Sequence, residues 1–111
     1  SFKAYKSYEE WRDNFLCPTL ENAAESLKND RYICWNIANI KVNKTKKHPT
    51  GYLPLEDDSV HILEAAGMVY KGKLKQLMTS MAGLTVGDLE NSCMYDGKVW
   101  KYEPILVFWK P

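Results

Sequence analysis

The chain has 111 residues, of which 45% are apolar and 26% charged, and its formal net charge is +1. This length suits one small domain over residues 1–111 and excludes two. The apolar content argues against intrinsic disorder, and no apolar run approaches the ~20 residues that span a bilayer. The near-neutral charge excludes nucleic-acid binding by bulk electrostatics alone. No secretory signal opens the sequence, so we expect a cytoplasmic protein that does not contact a membrane.

Cysteine and histidine positions argue against a metal site. The three cysteines show no Cys-x-x-Cys spacing, and His48 and His61 have no partner at ligand spacing. Free thiols fit a reducing compartment. We therefore expect no metal, and we expect Cys17, Cys34 and Cys93 to be small buried residues.

A helix is predicted near the start of the chain. The stretch Ser7-Tyr8-Glu9-Glu10 matches a capping box, in which the first and last side chains cap each other's backbone amides. Because proline lacks an amide, we expect a kink or break with Pro18 in the first turn of a second segment. The apolar residues at helical spacing are Trp11, Phe15, Leu16, Leu20, Ala23, Ala24 and Leu27.

Strand and helix patterns then alternate. Tyr32–Ile40 is aromatic and almost continuously apolar at its start, which predicts a strand buried on both faces. A basic loop is predicted over 41–51. The second predicted helix is Leu55–Ala66, with acidic residues in its first turn and Gly67 as its C-terminal cap.

The next predicted strand carries regularly spaced lysines. Residues 68–78 alternate in polarity, which predicts that Lys71, Lys73 and Lys75 share one solvent-exposed face. Lysines on such a strand either contact an anionic partner or protect a sheet edge from unwanted pairing.

The order of elements predicts an α/β fold. A long loop is expected over 82–97 and the last strand over 102–109, which gives about three strands and two main helices. A strand–helix–strand crossover favours a parallel pair, and the last strand is expected to return antiparallel beside its predecessor. The predicted architecture is half of a doubly wound, Rossmann-like sheet.

Four stretches in chain order resemble the DNA amino-group methyltransferases of phages and bacteria. They are similar to the helix after that family's catalytic motif, the next strand, the start of the next helix and the closing strand. The stretches are Tyr8–Trp11 with Phe15–Leu16, Pro18–Leu20 and Leu27–Lys28, then Tyr32–Lys41, Leu53–Asp58 and Lys101–Phe108. The resemblance implies a truncated methyltransferase sheet, encoded by a phage or prophage and present in the host cytoplasm.

Two motifs that carry the family's chemistry are absent from the sequence. It contains neither an Asp/Asn/Ser-Pro-Pro-Tyr/Phe motif, which holds the target amino group, nor a Phe-x-Gly-x-Gly loop, which cradles S-adenosylmethionine. No catalytic or cofactor-binding residue is therefore assigned, and S-adenosylmethionine is expected only if a partner chain completes the site. The resemblance implies a degenerate or split DNA methyltransferase fragment that is inactive alone.

The alternative is a small non-enzymatic module that reuses the half-fold to bind DNA, RNA or another protein. Its nucleic-acid contacts, for instance to DNA, would come from the basic loop and from the strand that carries the three lysines. The same lysines are also typical of a loop that is merely exposed to solvent. The candidate residues are Lys44, Lys46, Lys47, Lys71, Lys73 and Lys75. Three polar residues near strand ends are also candidates: Asn36 and Asn39 for ligand binding or turn capping, and Glu103 for a general base or a salt bridge.

An unpaired strand edge is predicted at residues 32–37. In a complete methyltransferase sheet this strand would have neighbours on both sides, and the upstream neighbour is missing here. A bare edge is a template for pairing. We therefore expect a homo-oligomer or a partner chain at this edge, or its coverage by residues 1–6 or 82–97.

Overall fold

The computed structural model describes residues 4–86 and 91–111, which form a mixed α/β structure. No helix within these residues is long and apolar enough to cross a membrane. The elements in chain order are α1 (Tyr8–Trp11), a π-helical segment (Arg12–Leu16), α2 (Cys17–Ser26), β1 (Arg31–Asn36), β2 (Ile40–Lys41), β3 (Tyr52–Leu53), α3 (Leu55–Ala65), β4 (Val69–Ser80), β5 (Ser92–Tyr95) and β6 (Lys98–Lys110).

The first helical region begins and changes form where the sequence predicts. The Oγ atom of Ser7 accepts a hydrogen bond from the Glu10 amide at 3.1 Å, which confirms the N-terminal cap. Pro18 lies in the first turn of α2. The predicted break takes the form of the π-helical segment, in which the Cys17 amide bonds to the carbonyl of Arg12 five residues earlier.

The last strand, β6, is the centre of the main sheet. The order is β1-β6-β4, and both neighbours are antiparallel to β6. β5 shares an edge of β6 with β1, because Trp100 and Lys101 pair with β5 on one side and with β4 on the other. The predicted antiparallel return beside β4 is confirmed. The predicted parallel pair is wrong, because β6 lies between β1 and β4 and keeps these two parallel strands apart.

Three short strands, β2, β3 and β5, lie at the ends of or within the segments predicted as loops. β2 and β3 form a separate antiparallel pair at the ends of the predicted basic loop 41–51. β5 lies within the predicted loop 82–97, of which residues 87–90 are outside the described residues. Their shortness explains why the sequence pattern did not reveal them, since two to four residues carry no clear period.

Burial of β1 on both faces was a wrong prediction. Ile33 and Trp35 are half-buried on the side of the helices, whereas Tyr32 is 57% exposed and Cys34 and Asn36 are exposed on the other side. Within the described residues, the fully buried side chains of β6 lie on the one face of the sheet that packs against the helices. In this chain, a continuous apolar run therefore forms a strand that is buried on one face only.

The core lies between this covered face and the helices. Trp35 donates from Nε1 to the Oγ atom of fully buried Ser59 at 3.1 Å, which fixes α3 against β1. Phe15, predicted for the core stripe, is 38% exposed and stacks on Trp11, because the π-helical segment shifts the helical phase. The main core cluster is Tyr8, Trp11, Leu16, Leu20, Ala24, Leu53, Leu55, Leu63, Met68, Leu106 and Phe108.

Two bulges interrupt β4, one between Tyr70 and Gly72 and one between Leu77 and Thr79. Each bulge places one extra residue opposite β6 and resets the alternation of side chains. The predicted common face of the three strand lysines is therefore wrong. Lys71 occupies the first bulge and lies on the open face of the sheet, whereas the two later lysines lie on the helix side.

Lys110, at the end of β6, fixes the end of α2. Its Nζ atom donates to the carbonyls of Ala24 at 2.5 Å and Leu27 at 2.6 Å. These carbonyls lack helical partners, and a cation at a helix C-terminus also meets the negative end of the helix dipole. The contact spans more than eighty positions of sequence.

The three cysteines are free, but they are not all buried as predicted. Cys17 and Cys93 are half-buried, and Cys34 is exposed on the open face of the sheet. Burial and the neighbouring Glu21 carboxylate raise the pKa of the Cys17 thiol, which makes it less reactive.

Candidate functional site

Three of the candidate lysines lie on the hairpin that joins β2 and β3. Lys44, Lys46 and Lys47 are exposed, and the hairpin is held by a hydrogen bond from the amide of Val42 to the carbonyl of Gly51 at 2.9 Å. The Nζ atom of Lys47 forms a 3.1 Å ion pair with Glu9 of α1. This ion pair fastens the hairpin to the first helix.

The other three candidate lysines lie on β4, on two sides of the sheet. The Nζ atom of Lys71 is 5.9 Å from the centre of the Trp109 ring on the open face. On the helix side, Lys73 and Lys75 lie 5.7 and 5.3 Å from the ring centre of Tyr102. These distances are typical of cation–π interactions, so the three lysines already have partners within the chain.

Lys73 also forms an ion pair with Glu56 of α3, with 3.3 Å between Nζ and Oε1. Burial lowers the pKa of Lys73, but the charge of Glu56 and the contact with Tyr102 raise it more, so this pKa lies above its ordinary value. The six lysines thus occupy three separate places, namely the hairpin, the open face and the helix side of the sheet.

A cavity of about 270 Å³, which we call the notch, lies along one edge of β6 between the end of β1 and the start of β5. Asn36 is the last residue of β1 and pairs with Ile105, while the amide of Tyr102 bonds to the carbonyl of Asn91 just before β5. The intervening part of β6 has no strand partner on this edge in the described residues. Polar residues of the lining are Asn39, Lys41, Tyr52, Asn91, Lys101, Tyr102 and Glu103.

Pro104 occupies this unpaired part of β6. Backbone groups of alternate strand residues point to the same edge, and the Tyr102 amide points to the edge of the notch. The amide that Pro104 lacks would point there too, where no strand is present to accept it. This placement explains how a central strand contains a buried proline.

The three polar residues at the strand ends form contacts within the chain. The Oδ1 atom of Asn39 accepts a hydrogen bond from the Glu56 amide at 3.0 Å, which caps the first turn of α3. The capping role weighed for Asn39 is therefore confirmed. Asn36 donates a hydrogen bond from Nδ2 to the Oε2 atom of Glu103 at 3.3 Å. The Glu103 carboxylate therefore accepts from the side-chain amide of a neighbouring strand.

Sequence reasoning missed one polar cluster, which joins α1 to α3. The hydroxyl of buried Tyr8 donates to Asp58 Oδ2 at 2.5 Å, and a guanidinium nitrogen of Arg12 lies 3.8 Å from the same oxygen. Burial and the Asp58 carboxylate raise the pKa of Tyr8 well above its usual range. Fifty positions separate Tyr8 and Asp58, so no local motif could have revealed the pair.

The outer edge of β1 is unpaired within the described residues. The amide of Asp30 bonds to the carbonyl of Lys110, and Arg31 pairs with the same residue. The backbone groups of Lys110 therefore point towards β1, and Arg31 bonds to β6. By alternation, residues 31, 33 and 35 bond to β6. The backbone groups of residues 32, 34 and 36 therefore point away from the sheet.

The described residues contain no group of three or more histidine, cysteine, aspartate or glutamate side chains that could hold a metal ion. Comparison with family models, with curated proteins and with solved structures gives no match for this chain. Its functional interpretation therefore depends on its own residues and geometry.

Proposed function

We propose that this chain is the distal half of a phage-type DNA amino-group methyltransferase fold that has no methyl-transfer activity of its own. In this proposal the cofactor cradle and the amino-group clamp come from another segment or chain. Neither motif is present in the sequence. Without them there is no preorganised site for the cofactor or for the charge that develops during transfer.

The arrangement of β1, α3 and β4 is the observation that carries the proposal. β1 and β4 run in the same direction, and the chain passes from one to the other through the β2–β3 hairpin and α3. β6 lies antiparallel between them. A parallel strand–helix–strand unit is the building block of doubly wound sheets. Such sheets carry helices on both faces, whereas the described residues of this sheet pack against helices on a single face.

The free edge of β1 supplies the place at which the fold would be completed. A strand from the proximal half would bond to the backbone groups of residues 32, 34 and 36. The notch lies at the carboxyl end of β1, which is the end at which open α/β sheets bind ligands. A completed fold would place its catalytic clamp near this end.

Two measurements test the proposal. We expect calorimetric titration of the chain with S-adenosylmethionine, with and without a short duplex DNA, to give no binding heat, and labelled cofactor to leave DNA unlabelled. Mixing the chain with a proximal fragment of a phage DNA amino-group methyltransferase, ending after its Pro-Pro motif, is expected to yield labelled DNA. Robust labelling by the chain alone would overturn the proposal.

A matched pair of prolines locates the docking edge in that mixture. Cys34→Pro removes an outward amide of β1, and we expect it to abolish labelling. Lys75→Pro removes an outward amide at the opposite edge, on β4, and is expected to preserve labelling.

Nucleic-acid contact through the β2–β3 hairpin is a second candidate function. Three exposed lysines lie within four residues on a hairpin that hydrogen bonds hold in place. Lysines presented in this way add salt-dependent affinity for phosphates. The β4 lysines support this function less, because Tyr102, Trp109 and Glu56 already engage them.

A further inference from the structure

The backbone of β1 offers a complete set of hydrogen-bonding groups to another strand. Tyr32, Cys34 and Asn36 each direct an amide and a carbonyl to the outer edge, and each has an exposed side chain. No strand among residues 4–86 and 91–111 takes these groups. Unpaired groups of this kind are a template for β-strand pairing.

Apart from Arg31 at its start, the sequence of this edge contains none of the features that oppose pairing. Residues 32–37 contain no charged residue and no proline, and their register with β6 continues without a bulge to the end of β1. Charged side chains, prolines and bulges are the usual means by which edge strands avoid association. A neutral edge also brings no like charges together when it meets a copy of itself.

We propose that the edge of β1 pairs antiparallel with the same edge of a second copy, with Cys34 on the twofold axis. In this register Cys34 lies opposite its own counterpart, and Tyr32 lies opposite Asn36 of the second copy. All three outward residues of each strand then exchange backbone hydrogen bonds. Moving the axis to residue 33 or 35 leaves one of the three without a β1 partner.

A twofold interface requires one self-complementary surface, and this edge provides it. The two sheets become one continuous sheet, and their helices lie on the same face. Directly opposed residues of a hydrogen-bonded pair have Cα atoms about 5.5 Å apart and side chains on the same face. The two exposed Cys34 thiols therefore lie within reach of a short crosslinker. This inference does not rest on the proposed function. The second copy and the proximal half of the proposed function would use the same edge, so the proximal half would have to displace the second copy.

Crosslinking tests the register. In a Cys17→Ser, Cys93→Ser background only Cys34 remains reactive, and a short bismaleimide is expected to convert most of the protein into a covalent dimer at micromolar concentration. The matched control adds Cys34→Ser and Gln76→Cys, which places the thiol on the open face of β4. The control is expected to give at least tenfold less covalent dimer. Equal crosslinking of the two variants would overturn the proposed register.

Light scattering tests the interface itself. The wild-type chain is expected at twice its 12.8 kDa mass. Cys34→Pro is expected to raise the dimer dissociation constant at least tenfold, and Lys75→Pro is expected to leave it unchanged. A wild-type monomer at tens of micromolar, or a dimer that Cys34→Pro does not weaken, would overturn the inference. Neither result bears on cofactor binding, so failure here is distinct from failure of the proposed function.

Discussion

The two outer strands of the sheet, β1 and β4, differ in the charge and regularity of their free edges. β4 carries Lys71, Lys73 and Lys75 and is bent by two bulges, which are features that discourage pairing. β1 has an uncharged, regular edge over residues 32–37. The difference teaches that β4 has the features of a sheet edge that stays unpaired, whereas β1 lacks them over residues 32–37.

The largest expected effect separates the bonded side of β1 from its free side. Ile33→Pro removes an amide that bonds to β6 and a side chain packed against the core, so we expect a loss of about 3 kcal/mol in the free energy of unfolding. Cys34→Pro removes an outward amide and is expected to cost under about 1 kcal/mol. Urea unfolding at a protein concentration low enough for both variants and the wild type to be monomeric measures both losses. Similar losses would contradict the assignment of the free side.

The next largest effect concerns the hydrogen bond between Tyr8 of α1 and Asp58 of α3. Tyr8→Phe removes the hydrogen bond to Asp58, and we expect a loss of about 2 kcal/mol at neutral pH. Because burial and Asp58 raise the pKa of Tyr8 in the folded state, this contribution is complete below about pH 10, the unfolded value. It is lost as the pH rises further. Urea unfolding of both proteins from pH 7 to pH 11 would show the difference shrinking only at the alkaline end.

That pH profile also distinguishes the loss of this one hydrogen bond from a general loss of structure. A difference between wild type and Tyr8→Phe that shrinks below pH 9 would show that the Tyr8 hydroxyl does not carry the effect. The Glu9 carboxyl provides an acid-side contrast, since a backbone hydrogen bond and the Lys47 ion pair lower its pKa. Its contribution is present above its unfolded pKa and is lost as the pH falls.

Removing the protection of β4 gives a smaller change in stability but a distinct change in assembly. Lys71→Thr, Lys73→Thr and Lys75→Thr together lose the partly exposed Glu56 ion pair and the cation–π contacts with Trp109 and Tyr102, at a cost of about 1.5 kcal/mol. We expect the triple variant to form species larger than a dimer, because β4 then resembles β1. Sedimentation velocity measures this change, and an unaltered size distribution would show that the bulges alone protect the edge.

The smallest expected effect compares the hairpin lysines with the β4 lysines as contacts for DNA. Replacing Lys44, Lys46 and Lys47 together by Ala is expected to weaken binding to a short duplex and to reduce the slope of its salt dependence by up to about 3 units. The β4 triple variant serves as the control and is expected to change the slope less. Unchanged affinity and slope in the hairpin variant would leave its lysines as an ordinary solvated surface.

Local patterns predicted those features whose causes lie within a few residues. The Ser7 cap, the break before Pro18 and the limits of α3 follow from hydrogen-bonding chemistry that neighbouring residues supply. The candidate site was predicted less well. Lys71 and Lys73 are two residues apart, yet a bulge places them on opposite faces, and no sequence period reports a bulge.

The sequence by itself determined the α/β composition, the positions of the helices and the return of the last strand beside β4, since apolar periodicity and capping are local properties. Only the tertiary structure decided that β6 lies between β1 and β4, because strand order depends on pairing between distant segments. The same pairing exposed one face of Tyr32–Asn36 and left its outer edge free. It also placed Pro104 where no strand of the described residues pairs with β6 on the side of β1 and β5, and it brought Lys110 to the end of α2.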